Sequence, residues 1–185
     1  MWPVWLPVGL SCPILQKFNA MTSPHTTSPS HSSQQPALLG QGFVWQDLSL
    51  GQRFRTFRRT ITETDLVNFI SCTGMLEAIF IEKGYAGGAI EGRPVPGALT
   101  YTLIEGFILQ TMIQGTGLAM LELTQKILLP VLVGDTVHAE VEVTGVRPTS
   151  KSGRAVVTSD IRVFNQKDQL VMTYTATRLL AGRAT

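Results

Sequence analysis

Charge and cysteine are both scarce in this chain. Only 15% of its 185 residues are Asp, Glu, Lys or Arg, and the formal net charge is +2. The basic residues are scattered except at Arg53, Arg55, Arg58 and Arg59, so the basic stripe that nucleic-acid binding requires is missing. That one cluster reads as a solvated strand face. The two cysteines, Cys12 and Cys72, stand far apart with no second Cys or His at metal-ligand spacing; no metal site is expected, and both read as free thiols in a reducing cytoplasm. No basic residue precedes Lys17, so the charged start of a secretory signal is lacking. The apolar stretch in residues 1–20 is interrupted by Pro3, Pro7 and Pro13 and is too short to cross a bilayer, so no membrane contact is expected.

What the chain does have is apolar residues, 44% of the total, enough for one core of ordinary size and too few residues for two domains. Residues 22–36 are Ser, Thr, Pro, His and Gln with almost nothing to bury, which is the composition of a disordered tail. Residues 1–40 are therefore expected to be a tail, with Met21 the true start, and His25 and His31 solvent-exposed; residues 41–185 form the domain. Within it, residues 53–60 alternate imperfectly around Phe54 and Phe57 and predict a strand with a bulge. Thr62 and Asp65 have capping-box spacing ahead of a helix carrying Leu66, Phe69 and Ile70 on one face and stopping at Gly74. Residues 82–96 are Gly- and Pro-rich and predict a loop. Residues 97–114 are apolar on nearly all sides and closed by Gly115 and Gly117, as in a helix buried within a domain. Strands are predicted over 119–129, 136–147, 155–164 and 170–179. The class is α+β, with an antiparallel sheet wrapped around a long central helix.

Two segments carry a family resemblance. Pro130-Val131-Leu132-Val133-Gly134-Asp135-Thr136-Val137, followed by the alternating Glu140-Val141-Glu142-Val143, resembles the strand pair of MaoC-like (R)-specific enoyl-CoA hydratases. Gly92-Arg93-Pro94-Val95-Pro96-Gly97-Ala98-Leu99 resembles the segment that enters their central helix. The resemblance spans about residues 48–180 and implies a hot-dog fold, an acyl-CoA or related thioester as substrate with no further cofactor, a role in fatty acid metabolism, and a homodimer or higher homo-oligomer with the thioester site at the subunit boundary. It departs from the family where the chemistry lies. The family motif Gly-Asp-x-Asn-Pro-x-His falls on Gly74-Met75-Leu76-Glu77-Ala78-Ile79-Phe80, with Met75 at the Asp position and Phe80 at the His position.

Hydration of an enoyl thioester needs a base for the water, an acid for the α-carbon, and donors for the charge that develops on the thioester oxygen. The resemblance assigns the last role to backbone N–H groups at Gly97, with Met75, Phe80, Pro96, Ala98 and Tyr101 around the substrate; a plain glycine at a helix start is the other reading of Gly97. Two carboxylates stand as replacements for the missing acid and base. Glu77 sits at the family's Asn position, beside Ala78, Ile79, Phe80 and Ile81; it is either a catalytic group in an apolar pocket or a carboxylate on a solvent-facing turn. Glu105 is the one acid in the apolar helix, where a lone charge must be paired or used. Its spacing of eight residues from Gly97, with Tyr101 between, is expected to place all three on one face. Either Glu105 acts on the thioester, as in hot-dog thioesterases, or it pairs with an Arg across a dimer interface. His138 is expected to be structural, and Lys83, Arg93, Lys151 and Arg154 either meet CoA phosphates or are solvated surface. Three functions follow: an acyl-CoA hydratase or dehydratase, a thioesterase using Glu105, and a non-catalytic acyl-CoA-binding subunit. Deleting residues 1–40 is expected to leave thermal stability and acyl-CoA binding unchanged, as differential scanning and titration calorimetry would show; a large loss of either overturns the tail assignment.

Overall fold

The computed structural model describes residues 38–150 and 153–183. Its elements are strands β1 (Arg53–Arg55) and β2 (Arg59–Thr60), helices α1 (Glu63–Thr73), α2 (Ala78–Ile81) and α3 (Gly97–Thr111), then strands β3 (Gly117–Ile127), β4 (Thr136–Pro148), β5 (Arg154–Phe164) and β6 (Leu170–Ala181). The sheet runs β1-β4-β5-β6-β3, with β2 also on β4, and every pairing is antiparallel. The four long strands predicted from alternation are present within two residues at each end. Cys12, Met21, His25, His31 and Lys151 lie outside the described residues.

Alternation along the strands sends one set of side chains to the core. Val137, Ala139, Val141 and Val143 of β4, with Val157, Ile161 and Val163 of β5, are all 2% exposed or less. They form one buried cluster with Leu99, Ile104 and Ile108 of α3, and burying side chains of this size is the main term holding such a domain together. The opposite face of β4 and β5 carries ions. Glu140 accepts from Arg53 at 2.7 Å and from Arg162 at 2.9 Å. With Arg59 on Asp65 at 2.6 Å and Arg58 on Asp168 at 3.4 Å, three of the four clustered arginines face carboxylates across solvent-exposed surface, where such pairs stabilise little.

The predicted strand over 53–60 is interrupted between β1 and β2. Thr56 there exchanges hydrogen bonds with Ala139, donating its N–H to the Ala139 carbonyl at 2.9 Å and accepting the Ala139 N–H on Oγ at 2.9 Å, which is the bulge expected from the broken alternation. Helix α3 is held at its far end by a backbone strap: Gly42 N–H donates to Gln114 O and Phe43 N–H to Met112 O, both at 2.8 Å. A Cβ on Gly42 would lie 2.5 Å from the Gln114 nitrogen, so only glycine permits that approach.

Helix α1 begins as its sequence predicts. Thr62 Oγ accepts from Asp65 N–H at 3.2 Å, and an Asp65 carboxylate oxygen accepts from Thr62 N–H at 2.8 Å, satisfying two donors at the helix start. Leu66 and Ile70 are buried beneath it. Thr62→Ala removes half of the box and is expected to cost about 1 kcal/mol of unfolding free energy in urea titration.

Candidate functional site

A cavity of about 210 Å³ opens at the start of α3. Its floor is the first turn of the helix, Gly97 and Thr100; Ile79 and Phe80 of α2 close one side, and Ile127 of β3, Leu129 just beyond that strand and Met172 of β6 close another. Pro96, 3-residue neighbour of Leu99 and its acceptor at 2.9 Å, caps the helix, while helix geometry leaves the N–H groups of Gly97 and Ala98 without intrahelical acceptors. The helix start is thus a donor pair with the positive end of the helix dipole behind it. Gly97 also meets a steric demand: a Cβ there would stand 2.3 Å from Ile127 Cδ1, so any larger residue must push the Ile127 side chain aside.

Among the described residues that line this cavity, none has a titratable side chain. Phe80, at the family's His position, lines it, whereas Met75, at the Asp position, is 41% exposed on the segment before α2. Pro96 is buried and Ala98 half-buried, and neither contributes to the lining. Glu77 is the exposed residue immediately ahead of α2, where it occupies the N-cap without a side-chain cap bond. A second, smaller recess of about 130 Å³ shares Ile79, Ile90 and Pro94 with the first and brings in Glu82 and Tyr85. Glu82 ends α2 as Glu77 begins it. The sequence contains no periodic signal for Glu82, since it lies in a Gly-rich loop where neither helix nor strand spacing applies.

Glu105 is placed elsewhere. Its Oε1 accepts from Arg178 at 2.6 Å and from the Tyr174 hydroxyl at 2.8 Å, both on β6, and the Glu105 and Arg178 side chains are 9% and 6% exposed. Tyr101 packs edge-on against Tyr174 with ring centroids 5.2 Å apart. Burial, then the Glu105 charge, pushes the Tyr101 phenol up, and the same two causes push Tyr174 up further, so both hydroxyls keep their protons. The shared face expected for Gly97, Tyr101 and Glu105 does not form around the cavity. At about 100° per residue, eight residues leave Glu105 about 80° from Gly97, and Thr100 lies about 60° to the other side. Glu105 lines a separate recess with Leu109, Met120 and Arg178, and its arginine partner belongs to the same chain rather than to a second subunit.

His138 is 6% exposed and stacks on Phe164, ring centroids 5.6 Å apart. Burial, reinforced by Arg58 and Arg55, holds its pKa below the ordinary histidine value. Arg93 is engaged by Glu63 at 2.7 Å, which draws the Glu63 carboxyl below its usual range. Among the described residues no group of three metal-ligating side chains gathers, and no helix is long and apolar enough to cross a membrane.

No protein-family model matches the chain. It is 30% identical over 129 residues to the (R)-specific enoyl-CoA hydratase of Aeromonas caviae, an alignment spanning 69% of this chain and 92% of that protein. The solved R-hydratase of Pseudomonas aeruginosa, in its unliganded form, superposes with a TM-score of 0.65 at 27% identity, covering 78% of this chain and 88% of that one. A MaoC-like dehydratase from Rhodospirillum rubrum has the same fold, with a TM-score of 0.68 at 21% identity over 78% of this chain and all of its own.

If the Glu105–Arg178 pair is structural, Glu105→Gln leaves a buried guanidinium without its counter-charge and is expected to cost about 3 kcal/mol. Denaturation should register that loss, while turnover per folded molecule stays near the parent value.

Proposed function

The chain belongs to the MaoC-like family of (R)-specific enoyl-CoA hydratases and dehydratases, and we propose on that premise that it is a lyase adding water reversibly across the double bond of an enoyl-CoA. The observation that carries this reading is the apolar cavity at the start of α3, into which Gly97 opens. An enoyl group fits walls of Ile, Leu, Met and Phe, and its thioester oxygen meets the free N–H groups of the first turn. As hydroxide adds to the β-carbon, the electron pair of the double bond moves toward that oxygen, and donors fixed there in a dry site stabilise the developing charge strongly. The proton then goes to the α-carbon, and the reverse sequence expels water from a 3-hydroxyacyl thioester.

Proton transfer in this reading falls to the carboxylates that bracket α2. Glu77 precedes Ile79 and Phe80, and Glu82 lines the adjoining recess; either can serve the water or the α-carbon once substrate fills the space between them. A second reading rests on a specific observation: among the described residues the cavity lining contains no titratable group, which suits a subunit that binds acyl-CoA without turning it over. The thioesterase reading needs a free carboxylate beside the thioester, and Glu105 is engaged by Arg178 and Tyr174.

Self-association and a cytoplasmic location complete the proposal. Among the described residues, strand β3 pairs only with β6 and leaves Leu118, Met120, Leu121, Leu123 and Ile127 each at least 39% exposed, beside Leu109 of α3 at 50%. An apolar edge of that kind in a folded domain calls for a covering surface, and a second copy provides one by symmetry. Sedimentation is expected to give a dimer or larger species; a stable monomer at micromolar concentration counts against it.

The deciding assay follows enoyl absorbance and free thiol release separately, with enoyl-CoA and saturated acyl-CoA substrates. Loss of enoyl absorbance without thiol release supports the hydratase; thiol release supports hydrolysis; binding with neither supports the non-catalytic subunit. Glu77→Gln or Glu82→Gln, whichever removes the acting acid or base, is expected to lower kcat about 10²- to 10⁴-fold.

A further inference from the structure

Thr100 is 1% exposed, lines the Gly97 cavity, and its hydroxyl has no hydrogen-bond partner among the described residues. Threonines elsewhere in the helices do not share this condition. Thr73 donates to Phe69 O at 2.7 Å, Thr102 to Leu99 O at 3.0 Å and Thr111 to Phe107 O at 2.6 Å. Each satisfies itself on the preceding turn, as helical threonines commonly do. Thr100 has Pro96 O one turn behind it, but its hydroxyl makes no such bond, and that carbonyl already accepts from Leu99 and Thr100 N–H groups at 2.9 and 3.4 Å. A hydroxyl buried without a partner is costly, on the order of 1–3 kcal/mol, and it stands here in a cavity whose other lining side chains are almost all apolar.

We propose that Thr100 Oγ is a third donor, beside the N–H groups of Gly97 and Ala98, to the carbonyl oxygen of the acyl thioester bound at the start of α3. Thr100 follows Gly97 by three residues, and helical side chains lean toward the N-terminus, which brings its hydroxyl back over the first turn. The enolate oxygen that forms as water adds has three lone pairs; the two N–H groups take two and Thr100 the third. The bond strengthens as negative charge collects on that oxygen, so its effect falls on kcat more than on KM. In a cavity without the family's Asp and His, this added donor stabilises the same charge from the side of the helix. The inference rests on the thioester-binding reading above.

Three proteins test it: the parent, Thr100→Val, which keeps the shape and removes the hydroxyl, and Thr100→Ser, which keeps the hydroxyl. Each is assayed with crotonyl-CoA for turnover, titrated with saturated butyryl-CoA for binding, and melted without ligand. Thr100→Val is expected to melt at or above the parent temperature, because an unmatched buried hydroxyl has been removed, while kcat falls about 10²-fold with KM little changed; Thr100→Ser should stay within a few-fold of the parent. If the parent binds butyryl-CoA without turning over crotonyl-CoA, the readout is affinity, and about a 10-fold weakening in Thr100→Val supports the donor role. Parent-like turnover, or parent-like binding in the non-catalytic case, overturns the assignment while leaving the proposed function standing. A loss in Thr100→Val that matches a fall in melting temperature makes Thr100 structural and also overturns it. A parent that neither binds nor converts either ligand removes the proposed function, and this inference with it.

Discussion

The position of α3 along its groove depends on one buried contact, the meeting of Glu105 with Arg178 and Tyr174 on β6. An apolar helix against an apolar sheet has many nearly equivalent arrangements, since Leu and Ile side chains pack acceptably at several rotations. A carboxylate in that interface removes the degeneracy, because every arrangement but one strands a charge. The net contribution of such a pair to stability is small once desolvation is subtracted, and its larger effect is on register. With Glu105 fixed, the helix start lies eight residues and about 12 Å away, which sets Gly97 against Ile127 and turns Thr100 into the cavity.

Much of this architecture was legible in the chain. Alternation located β4, β5 and β6, and the Thr62–Asp65 spacing located the start of α1 where the reciprocal bonds occur. These are local signals, carried by a few adjacent residues. What could not be read were relations between distant segments. The lone acid in the apolar helix was visible as an anomaly, yet its partner is 73 residues further on, and Arg178 in a strand of mixed threonines and leucines gives no sign of facing inward. The face shared by Gly97 and Glu105 failed for a simpler reason: two turns are 7.2 residues, and the remaining fraction carries Glu105 round to β6. Thr100 had a visible signal, a hydroxyl three residues after the helix-start glycine in an otherwise apolar run, but only the absence of a partner distinguishes it from Thr102.

Where the resemblance implies a His, the cavity of this chain has Phe80 in its wall. Phe80 occupies a wall position and adds an apolar face, and the acids nearest in sequence flank α2 rather than line the lumen. In the proposed reaction the electrostatic part of the site and its proton-transfer part would therefore fall on different elements, α3 for the first and the ends of α2 for the second.

Ile127 and Leu129 serve two surfaces at once. They form part of the cavity wall, and they are also 60% and 40% exposed along the uncovered edge of β3. Whatever shields that edge from water therefore also changes the hydration of the space beside Gly97, and hence the strength of every dipole acting there. With a second copy over that edge, as proposed above, dilution would become a variable of the local dielectric, so that mass action outside the subunit would be felt as polarity inside it.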